Sequence, residues 1–405
     1  MTVTVRPSRA RGVTAAPPSK SMAHRLLLLA ALSDGVSIVH RLSDCEDVRA
    51  TLDCIAAMGI RYQLDGDTAT VYGRDVRSLA PHAPLSCRES GSTLRFLLPL
   101  GWLMSGETTF TGAPSLLSRP MDVYETLAEE EGLGFHRQDG HITVSGRLTA
   151  TELSVAGNIS SQFISGLLFA LAAKGEGGCI RIHTTVESRS YILLTIRALA
   201  MFGVAVSWQD EHTLYLAKGQ RLRPTEVTVE GDYSGAAFLD ALSVLGGEVE
   251  TLGLSEDTLR GDAAYKKYFS MLASGIPAIH IGDCPDLGPI LFAVAAAKHG
   301  GVFSGTRRLK IKESDRAAAM AEELNKLGSS VTVYDDTVVV YPAALHHPTE
   351  PLSGHNDHRI VMALAVLLTL TGGTITEAEA VTKSFPDFFE KLSELGIEVI
   401  YEADN

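Results

Sequence analysis

The sequence is poor in cysteine, and its cysteines lie far apart without a C-x-x-C pair: Cys45, Cys54, Cys87, Cys179 and Cys284. A scattered, odd-numbered set argues against a disulfide framework and against a zinc cluster. Long hydrophobic runs are also missing, because no apolar stretch reaches the ~20 residues that a membrane-spanning helix needs. We therefore expect a protein of the reducing cytoplasm that does not enter a membrane.

Positive charge is in short supply as well. There are 35 Lys and Arg residues against 48 Asp and Glu residues, a formal net charge of −13. Nucleic-acid-binding proteins are usually basic, so this balance argues against a nucleic-acid partner. Cations gathered in one cleft of an acidic protein suit a small anionic ligand, since the cleft focuses their field. With 405 residues, 45% of them hydrophobic, the chain is long enough for two domains.

What the chain does contain is one unit repeated six times. Each copy has an apolar helix, then a glycine, then a short β-like stretch, as in LLFALAAKGEGGCIRIHTTV and MALAVLLTLTGGTITEAEAV. The glycines are Gly35, Gly106, Gly178, Gly247, Gly301 and Gly373, spaced 71, 72, 69, 54 and 72 residues apart. We expect each glycine to end its helix in the left-handed conformation.

Most copies continue with an amphipathic helix and two alternating strands joined by a polar turn, so a complete unit is β-α-β-α-β-β. The fourth copy is shortened, and the last lacks one strand, which the N-terminal TVTV can supply. The first helix of each copy is apolar on all sides and should be buried, with the sheets outside it. The alternative architecture is a solenoid, which units of this length do not favour.

The repeat therefore predicts an α/β protein of two similar domains. Each domain has three units with buried helices and outer sheets, an inside-out α/β barrel. The predicted boundaries place residues 1–17 and 228–405 in domain 1 and residues 18–227 in domain 2. We expect the active site in the cleft between the two domains.

Cations recur at the starts of the repeated helices. In PPSKSMAHRLLLLAAL, residues 17–32, an apolar helix begins beside Lys20, Ser21 and Arg25. A solvated basic helix start explains one such segment, but it does not explain a set, because the helix dipole disfavours cations at an N-terminus and favours anions. The cations at equivalent places are Lys20, Arg25, Arg95, Arg119, Lys312, Arg316, Arg359 and Lys383.

Hydroxyl, amide and carboxyl groups accompany these cations, a combination that suits a polyhydroxylated phosphate ester. They are Ser92 beside Gly91, Ser160, Ser161 and Gln162, Ser188 and Tyr191, Asp286, and Glu313. His355 and His358 form an H-x-x-H motif in GHNDHR. Since no cysteine pair or second histidine cluster accompanies that motif, we expect no metal site.

The motifs resemble, in order, those of the EPSP synthases, the 3-phosphoshikimate 1-carboxyvinyltransferases of the shikimate pathway. They are PSKSMAHR, SGSTLR, SSQF, SRSY, PDLGP, KIKESDR, NDHR and TKSFPDFF, between about residues 15 and 390. The resemblance implies two domains of three units each. It also implies transfer of the enolpyruvyl group of phosphoenolpyruvate to the 5-hydroxyl of shikimate 3-phosphate, with release of phosphate and without a metal or organic cofactor.

The resemblance further implies which residues bind each substrate. For shikimate 3-phosphate they are Lys20, Ser21, Arg25, Ser160, Ser161, Gln162, Ser188, Tyr191, Asp286 and Lys312. For phosphoenolpyruvate they are Lys20, Gly91, Ser92, Arg119, Gln162, Arg316, Arg359 and Lys383. Three residues depart from the common family pattern, namely Glu89, Phe96 and Arg308.

The implied mechanism is addition followed by elimination. Asp286 accepts the hydroxyl proton, while Glu313, with Lys383 or His358, protonates the methylene carbon and later removes a proton. We expect a monomer that serves chorismate and aromatic amino-acid biosynthesis.

Two alternatives stay open. One is the enolpyruvyl transferase acting on UDP-N-acetylglucosamine, which carries Lys-Asn where this chain has Lys20-Ser21. The other is a catalytically inactive repeat protein that binds phosphosugars. Asp286, Glu313 and Lys383 argue against the inactive protein, because binding alone needs no proton-transfer groups.

Overall fold

The computed structural model describes residues 1–138, 140–255 and 261–402, and the chain divides into two compact units. Unit 1 comprises Met1–Pro17 and Gly231–Asn405, and unit 2 comprises Pro18–Glu230. Unit 2 ends three residues after the predicted boundary at residue 227. Residues 226–228 form a strand that pairs with Gly35–His40, and Val229 N donates to His40 O at 3.0 Å, so this segment stays with the first three repeats.

The helices follow the predicted order. They are α1 (Lys20–Leu32), α2 (Glu46–Ala57), α3 (Gly91–Gly101), α4 (Pro114–Leu117), α5 (Asp122–Glu131), α6 (Ser161–Lys174), α7 (Arg189–Met201), α8 (Tyr233–Val244), α9 (Tyr265–Ser274), α10 (Gly288–Ala297), α11 (Arg316–Lys326), α12 (His358–Thr371) and α13 (Phe388–Glu394). Short 3₁₀ turns at Pro285–Leu287, Arg307–Ile311 and Ala378–Lys383 lie in or beside three of the predicted site motifs.

The strands are short. They are β1 (Thr2–Val5), β2 (Arg11–Ala15), β3 (Gly35–His40), β4 (Arg61–Asp65), β5 (Thr68–Gly73), β6 (Leu85–Ser86), β7 (Thr108–Thr111), β8 (Gly134–Gln138), β9 (His141–Ser145), β10 (Glu152–Val155), β11 (Gly178–Ile182), β12 (Val206–Trp208), β13 (Thr213–Leu216), β14 (Glu226–Thr228), β15 (Glu248–Leu252), β16 (Ala278–His280), β17 (Gly301–Ser304), β18 (Val331–Val333), β19 (Thr337–Val340), β20 (Leu352–Ser353), β21 (Gly373–Thr376) and β22 (Val399–Glu402).

The repeat appears in the structure as a recurring sheet. Unit 2 has three four-stranded sheets, β14-β3-β5-β4, β6-β7-β9-β8 and β10-β11-β13-β12, and in each the first two strands are parallel and the others antiparallel. Unit 1 has two more, β16-β17-β19-β18 and β20-β21-β1-β22. The shortened fourth copy keeps only the parallel pair β15-β2.

The N-terminal strand completes the last copy, which confirms the expectation for TVTV. In β1, Val3 pairs with Ile375 of β21 on one side and with Tyr401 of β22 on the other, both antiparallel. The chain's first strand and its last described strand therefore belong to one sheet of unit 1.

Buried helices form the centre of each unit. Every residue of α3 except Ser92 is buried, and so is every residue of α10 except the last. The strands instead alternate, as in β5, where every second residue is buried. Helices that are apolar all round must lie inside, and strands with one polar face cover them. The fold is thus the predicted α/β architecture, with helices inside and sheets outside in two similar units.

Most of the repeated glycines do not end their helices as expected. Gly35, Gly178, Gly301 and Gly373 are the first residues of β3, β11, β17 and β21. Gly178 has φ +146°, and a Cβ placed on it would lie 2.2 Å from Thr151 O. At Gly178 the need for glycine comes from this close backbone approach and not from a helix cap.

We expect Gly166→Ala to destabilise unit 2, because α3 and α6 pack closely at this position. A Cβ here would lie 2.3 Å from Tyr124 Oη and 2.4 Å from Arg95 O, two atoms that hydrogen-bond to each other at 2.7 Å. Overpacking of this kind typically costs about 1–3 kcal/mol. Chemical denaturation should show the loss for Gly166→Ala and none for Gly275→Ala, where nothing lies within 4 Å. Equal stabilities would contradict the close packing.

Candidate active site

The first group of predicted site residues lies at the start of α1 in unit 2. Ser19 caps the helix by accepting from Met22 N at 3.3 Å, so Lys20 is its first residue. Lys20 Nζ lies 2.8 Å from Asp47 Oδ2, and both side chains are largely buried. Lys20 is therefore held by a carboxylate that sequence reasoning did not assign to the site.

Arg25 joins α1 to α7. Its guanidinium is buried and donates to Thr195 Oγ1 at 2.8 Å, to Tyr191 O at 3.1 Å and to Ser21 O at 2.6 Å. The structure therefore brings Ser21, Arg25 and Tyr191 together, although α7 lies far along the chain. The family departure Phe96 packs under Arg25, with the guanidinium carbon 5.0 Å from the ring centroid, an attractive cation–π geometry.

A second group forms where α3 meets α6. Arg95 Nη1 donates to Gln162 Oε1 at 2.8 Å, and Gln162 Nε2 donates to Ser92 Oγ at 2.9 Å. A Cβ placed on Gly91, the first residue of α3, would lie 2.9 Å from Arg119 Nη1 and 3.1 Å from Arg95 Nη1. Glycine thus leaves the helix N-terminus open beside two guanidinium groups.

Arg119 is the feature of unit 2 that points most directly to a ligand. Its side chain is buried, yet Nε and Nη2 have no hydrogen-bond partner among the residues that the structure describes. An unsatisfied buried donor on a charged group costs on the order of 1–3 kcal/mol or more. Because the guanidinium lies beside the N-terminus of α3, where backbone N–H groups also face outward, an anion bound there would satisfy both.

A buried hydrogen-bond chain connects the two groups, and sequence reasoning missed it. His24 Nδ1 lies 2.7 Å from Thr51 Oγ1, which lies 2.8 Å from Thr93 Oγ1, which in turn donates to the α3 cap Ser90 at 2.8 Å. Burial, together with nearby Lys20 and Arg25, lowers the pKa of His24 well below its usual value. A neutral His24 therefore links the starts of α1 and α3.

The remaining predicted serines lie at the starts of α6 and α7. Ser160 caps α6, accepting from Gln162 N at 3.3 Å, and Ser161 is the first residue of that helix. Ser188 is buried directly before α7 and has a positive φ of 52°. A non-glycine residue in this conformation is strained and is often found at functional sites.

In unit 1 the predicted residues surround Arg316, the first residue of α11. Its guanidinium is 1% exposed and contacts three carboxylates: Nη1 to Asp286 Oδ1 at 2.8 Å, Nη2 to Glu313 Oε2 at 2.6 Å, and Nε to Asp357 Oδ2 at 2.8 Å. Burial opposes its charge, but Asp357, Glu313 and Asp286 together raise the pKa of Arg316 well above its usual value. Arg316 is therefore a fixed cation at the centre of a buried network.

Asp286 contacts two further predicted cations. Lys312 Nζ lies 3.2 Å from Oδ1, and Arg359 Nη2 lies 3.3 Å from Oδ2. Burial lowers the pKa of Lys312, and Asp286 partly opposes this shift. Arg359 Nη2 also donates to Ser234 Oγ at 2.9 Å, a contact that the sequence did not predict.

Lys383 and His358 lie beside the turn before α12. Lys383 Nζ donates to Asn356 O at 2.6 Å and to Asn356 Oδ1 at 2.8 Å. His358 begins α12 and is buried, with Nδ1 3.9 Å from Asp357 Oδ1. Asp357 both caps α12 and binds Arg316. An aspartate just before an apolar helix is the signal in the sequence that could have identified this residue.

The family departure Arg308 also has a structural partner. It is buried, and its Nη2 donates to Gly282 O in the loop before Asp286. The residue therefore supports the segment that carries Asp286.

Comparison with known proteins shows the family of this chain. Residues 5–392 match the family model described as EPSP synthase (3-phosphoshikimate 1-carboxyvinyltransferase). The chain belongs to this family. A relative named 3-phosphoshikimate 1-carboxyvinyltransferase from Clostridium kluyveri is 34% identical over 98% of both chains. One of the same name from Clostridium perfringens, strain ATCC 13124, is 35% identical over 97% of this chain and 98% of that one.

Solved structures agree on the fold. EPSP synthase from Acinetobacter baumannii superposes with a TM-score of 0.77 at 23% identity, covering 99% of this chain and 100% of that one. The enolpyruvyl transferase NikO from Streptomyces tendae gives the same TM-score at 15% identity over 98% of both chains. Within the described part of this EPSP synthase family chain, no helix has the length and apolar character to cross a membrane.

Proposed function

We propose that this protein is a 3-phosphoshikimate 1-carboxyvinyltransferase. It transfers the enolpyruvyl group of phosphoenolpyruvate to the 5-hydroxyl of shikimate 3-phosphate, giving 5-enolpyruvylshikimate 3-phosphate and phosphate. The observation that carries the proposal is the buried guanidinium of Arg119 beside Gly91, which lacks a partner among the described residues, in a chain of the EPSP synthase family. Such a group is suited to the phosphate or carboxylate of phosphoenolpyruvate.

The residues predicted to bind the two substrates lie partly in each unit. We assign shikimate 3-phosphate to Lys20, Ser21, Arg25, Ser160, Ser161, Gln162, Ser188, Tyr191, Asp286 and Lys312. We assign phosphoenolpyruvate to Lys20, Gly91, Ser92, Arg119, Gln162, Arg316, Arg359 and Lys383. Both sets include residues of each unit.

The first chemical step is addition. The 5-hydroxyl oxygen forms a bond to C2 of phosphoenolpyruvate, its proton passes to Asp286, and C3 gains a proton from Glu313 or from its neighbours Lys383 and His358. In the second step a base removes a proton from the new methyl group, the C2=C3 bond forms again, and phosphate leaves from C2. The cations around Asp286 and Glu313 stabilise the polyanionic intermediate.

The biological setting follows from this reaction. The product is a precursor in chorismate and aromatic amino-acid biosynthesis, and we propose a cytoplasmic monomer that uses no cofactor. The five cysteines are free thiols, which suits a reducing compartment.

The deciding experiment mixes purified protein with phosphoenolpyruvate and each candidate acceptor and measures phosphate release. We expect release with shikimate 3-phosphate, and none with phosphoenolpyruvate alone or with unphosphorylated shikimate. Release with UDP-N-acetylglucosamine instead would identify the related enolpyruvyl transferase. Binding of shikimate 3-phosphate without any release would identify an inactive phosphosugar-binding protein.

A further inference from the structure

The turn between β20 and α12 contacts two residues of the proposed site. Asn356 binds Lys383, and Asp357 binds Arg316. Two consecutive non-glycine residues in this turn have positive φ, 49° for His355 and 47° for Asn356. Such conformations cost on the order of 1–3 kcal/mol each and persist only where the surroundings impose them.

Helix α11 contacts this turn at two points. Arg316 and Glu323 are seven residues apart, which places them two turns apart on one face of the helix. Arg316 binds Asp357 at the end of the turn. Glu323 binds its beginning, since Oε2 accepts from Ser353 N at 3.0 Å and Oε1 lies 2.9 Å from His355 Nε2.

A buried glutamate is unusual at position 323, because no contact with substrate is proposed there. Its side chain is completely buried, and buried carboxylates are costly unless they are paired. Glu322, Glu323 and His355 could together hold a metal ion, since their ligand atoms lie within 4.8 Å of one another. Lys326 Nζ, however, lies 3.1 Å from Glu323 and 3.6 Å from Glu322, so an ammonium already balances these carboxylates.

We propose that Glu323 and His355 are positioning residues, which hold the 353–357 turn so that Lys383 and Arg359 keep their places. Asn356 of this turn binds Lys383, and Asp357 Oδ1 accepts from Arg359 N at 2.9 Å. The inference rests on the proposed function for what Lys383 and Arg359 do in the reaction. His355 N also donates to Ser353 Oγ at 3.1 Å, so the histidine closes the turn from its backbone as well as from its ring.

The charge state of the pair makes this role testable by pH. Burial would raise the pKa of Glu323, but hydrogen bonds from His355, Lys326 and Ser353 lower it below its usual value. The same hydrogen bond to Glu323 raises the pKa of His355. The ion pair is therefore complete below the usual pKa of histidine and weakens as pH rises through the raised one. The charged groups facing His355 are Glu322, Glu323 and Glu377; Lys326 lies beside Glu323, and Glu350 lies beside Lys326.

The first test is Glu323→Gln, which keeps the shape and removes the charge. We expect kcat/KM for phosphoenolpyruvate to fall about tenfold, because small misplacement of catalytic groups is costly, while KM for shikimate 3-phosphate stays within about twofold. Glu322→Gln is the matched control, since it makes the same charge change one residue away on a largely exposed side chain. Equal kinetics for the two variants would overturn the proposal.

The second test is His355→Gln, a partly exposed position where the variant should fold. Glutamine donates a neutral hydrogen bond, as neutral histidine does. Near pH 6 we expect kcat/KM for phosphoenolpyruvate to be about fivefold higher in the original protein than in the variant, because hydrogen bonds to charged groups are stronger. At alkaline pH the ratio of the two kcat/KM values should approach one. A ratio that does not change with pH would overturn the proposal.

A third readout does not depend on turnover. In Glu323→Gln and His355→Gln, Lys383 should react several-fold faster with an acetylating reagent, measured by peptide mass spectrometry, because the turn that binds its Nζ is loosened. Lys391, which pairs with Glu394, serves as the control. An original protein that releases no phosphate would refute the proposed function alone. Unchanged Lys383 labelling in both variants would refute the positioning role.

Discussion

Glu313→Gln should lower kcat by about 10²–10⁴-fold while both substrates still bind. This is the usual contribution of a positioned acid or base. Glutamine has nearly the same shape as glutamate, and Arg316 keeps its contacts with Asp286 and Asp357, so the variant should fold. Asp286→Asn is a less clean test, because that carboxylate contacts three cations and its loss would also disturb binding.

The measurement combines steady-state phosphate release with calorimetric binding of shikimate 3-phosphate. We expect dissociation constants within a few-fold of the original protein beside the large loss in kcat. Glu398→Gln is a suitable control, since this exposed carboxylate pairs only with Arg6 among the described residues. A kcat within threefold of the original would remove Glu313 from the proton transfers.

Arg316→Met should destabilise unit 1 by about 3–5 kcal/mol, the usual cost of removing one partner from a buried ion pair. The arginine is 1% exposed and Asp357 is 0% exposed, so little water can replace the lost guanidinium. Methionine fills most of the volume, and the loss therefore measures charge rather than packing. Against a total stability of typically 5–15 kcal/mol, the change is large.

In chemical denaturation monitored by circular dichroism, Arg316→Met should begin to unfold at a lower denaturant concentration than the original protein. Arg307→Met is the matched control, because its ion pair with Asp335 is exposed on both sides, 69% and 72%. Ion pairs as exposed as this one contribute little to stability, so that variant should remain close to the original. Similar denaturation midpoints for the two variants would show that Arg316 is not needed to stabilise the buried carboxylates around it.

Much of the architecture could be predicted from periodicity. The six copies of the unit became six sheets, the shortened copy became the two-stranded sheet, and TVTV filled the missing strand. These features depend on local patterns of apolar and polar residues, which the chain displays directly. The prediction that these glycines end helices was wrong, because the reason for glycine is not local. At Gly178 the neighbouring backbone, at Thr151 O just before β10, leaves no room for a side chain.

The domain boundary shows the same division between features set by local sequence and features set by distant contacts. The repeat suggested a break after residue 227, at the junction of its third and fourth copies. However, β14 pairs with β3, which lies nearly two hundred residues earlier in the chain, and this pairing carries residues 228–230 into unit 2. No local signal in RLRPTEVTVEGD distinguishes a strand of one unit from a strand of the other.

The sequence alone determined the repeated unit, the buried helices and the family, and it predicted most of the charged residues of the candidate site. Each of these depends on residue type and on spacing along the chain. Only the tertiary structure decided which charges meet. Arg316 contacts Asp286 and Asp357, 30 and 41 residues away, and Arg25 contacts Thr195, 170 residues away. Such pairs depend on how helices pack, and packing joins residues whose separation in the sequence carries no sign of their contact.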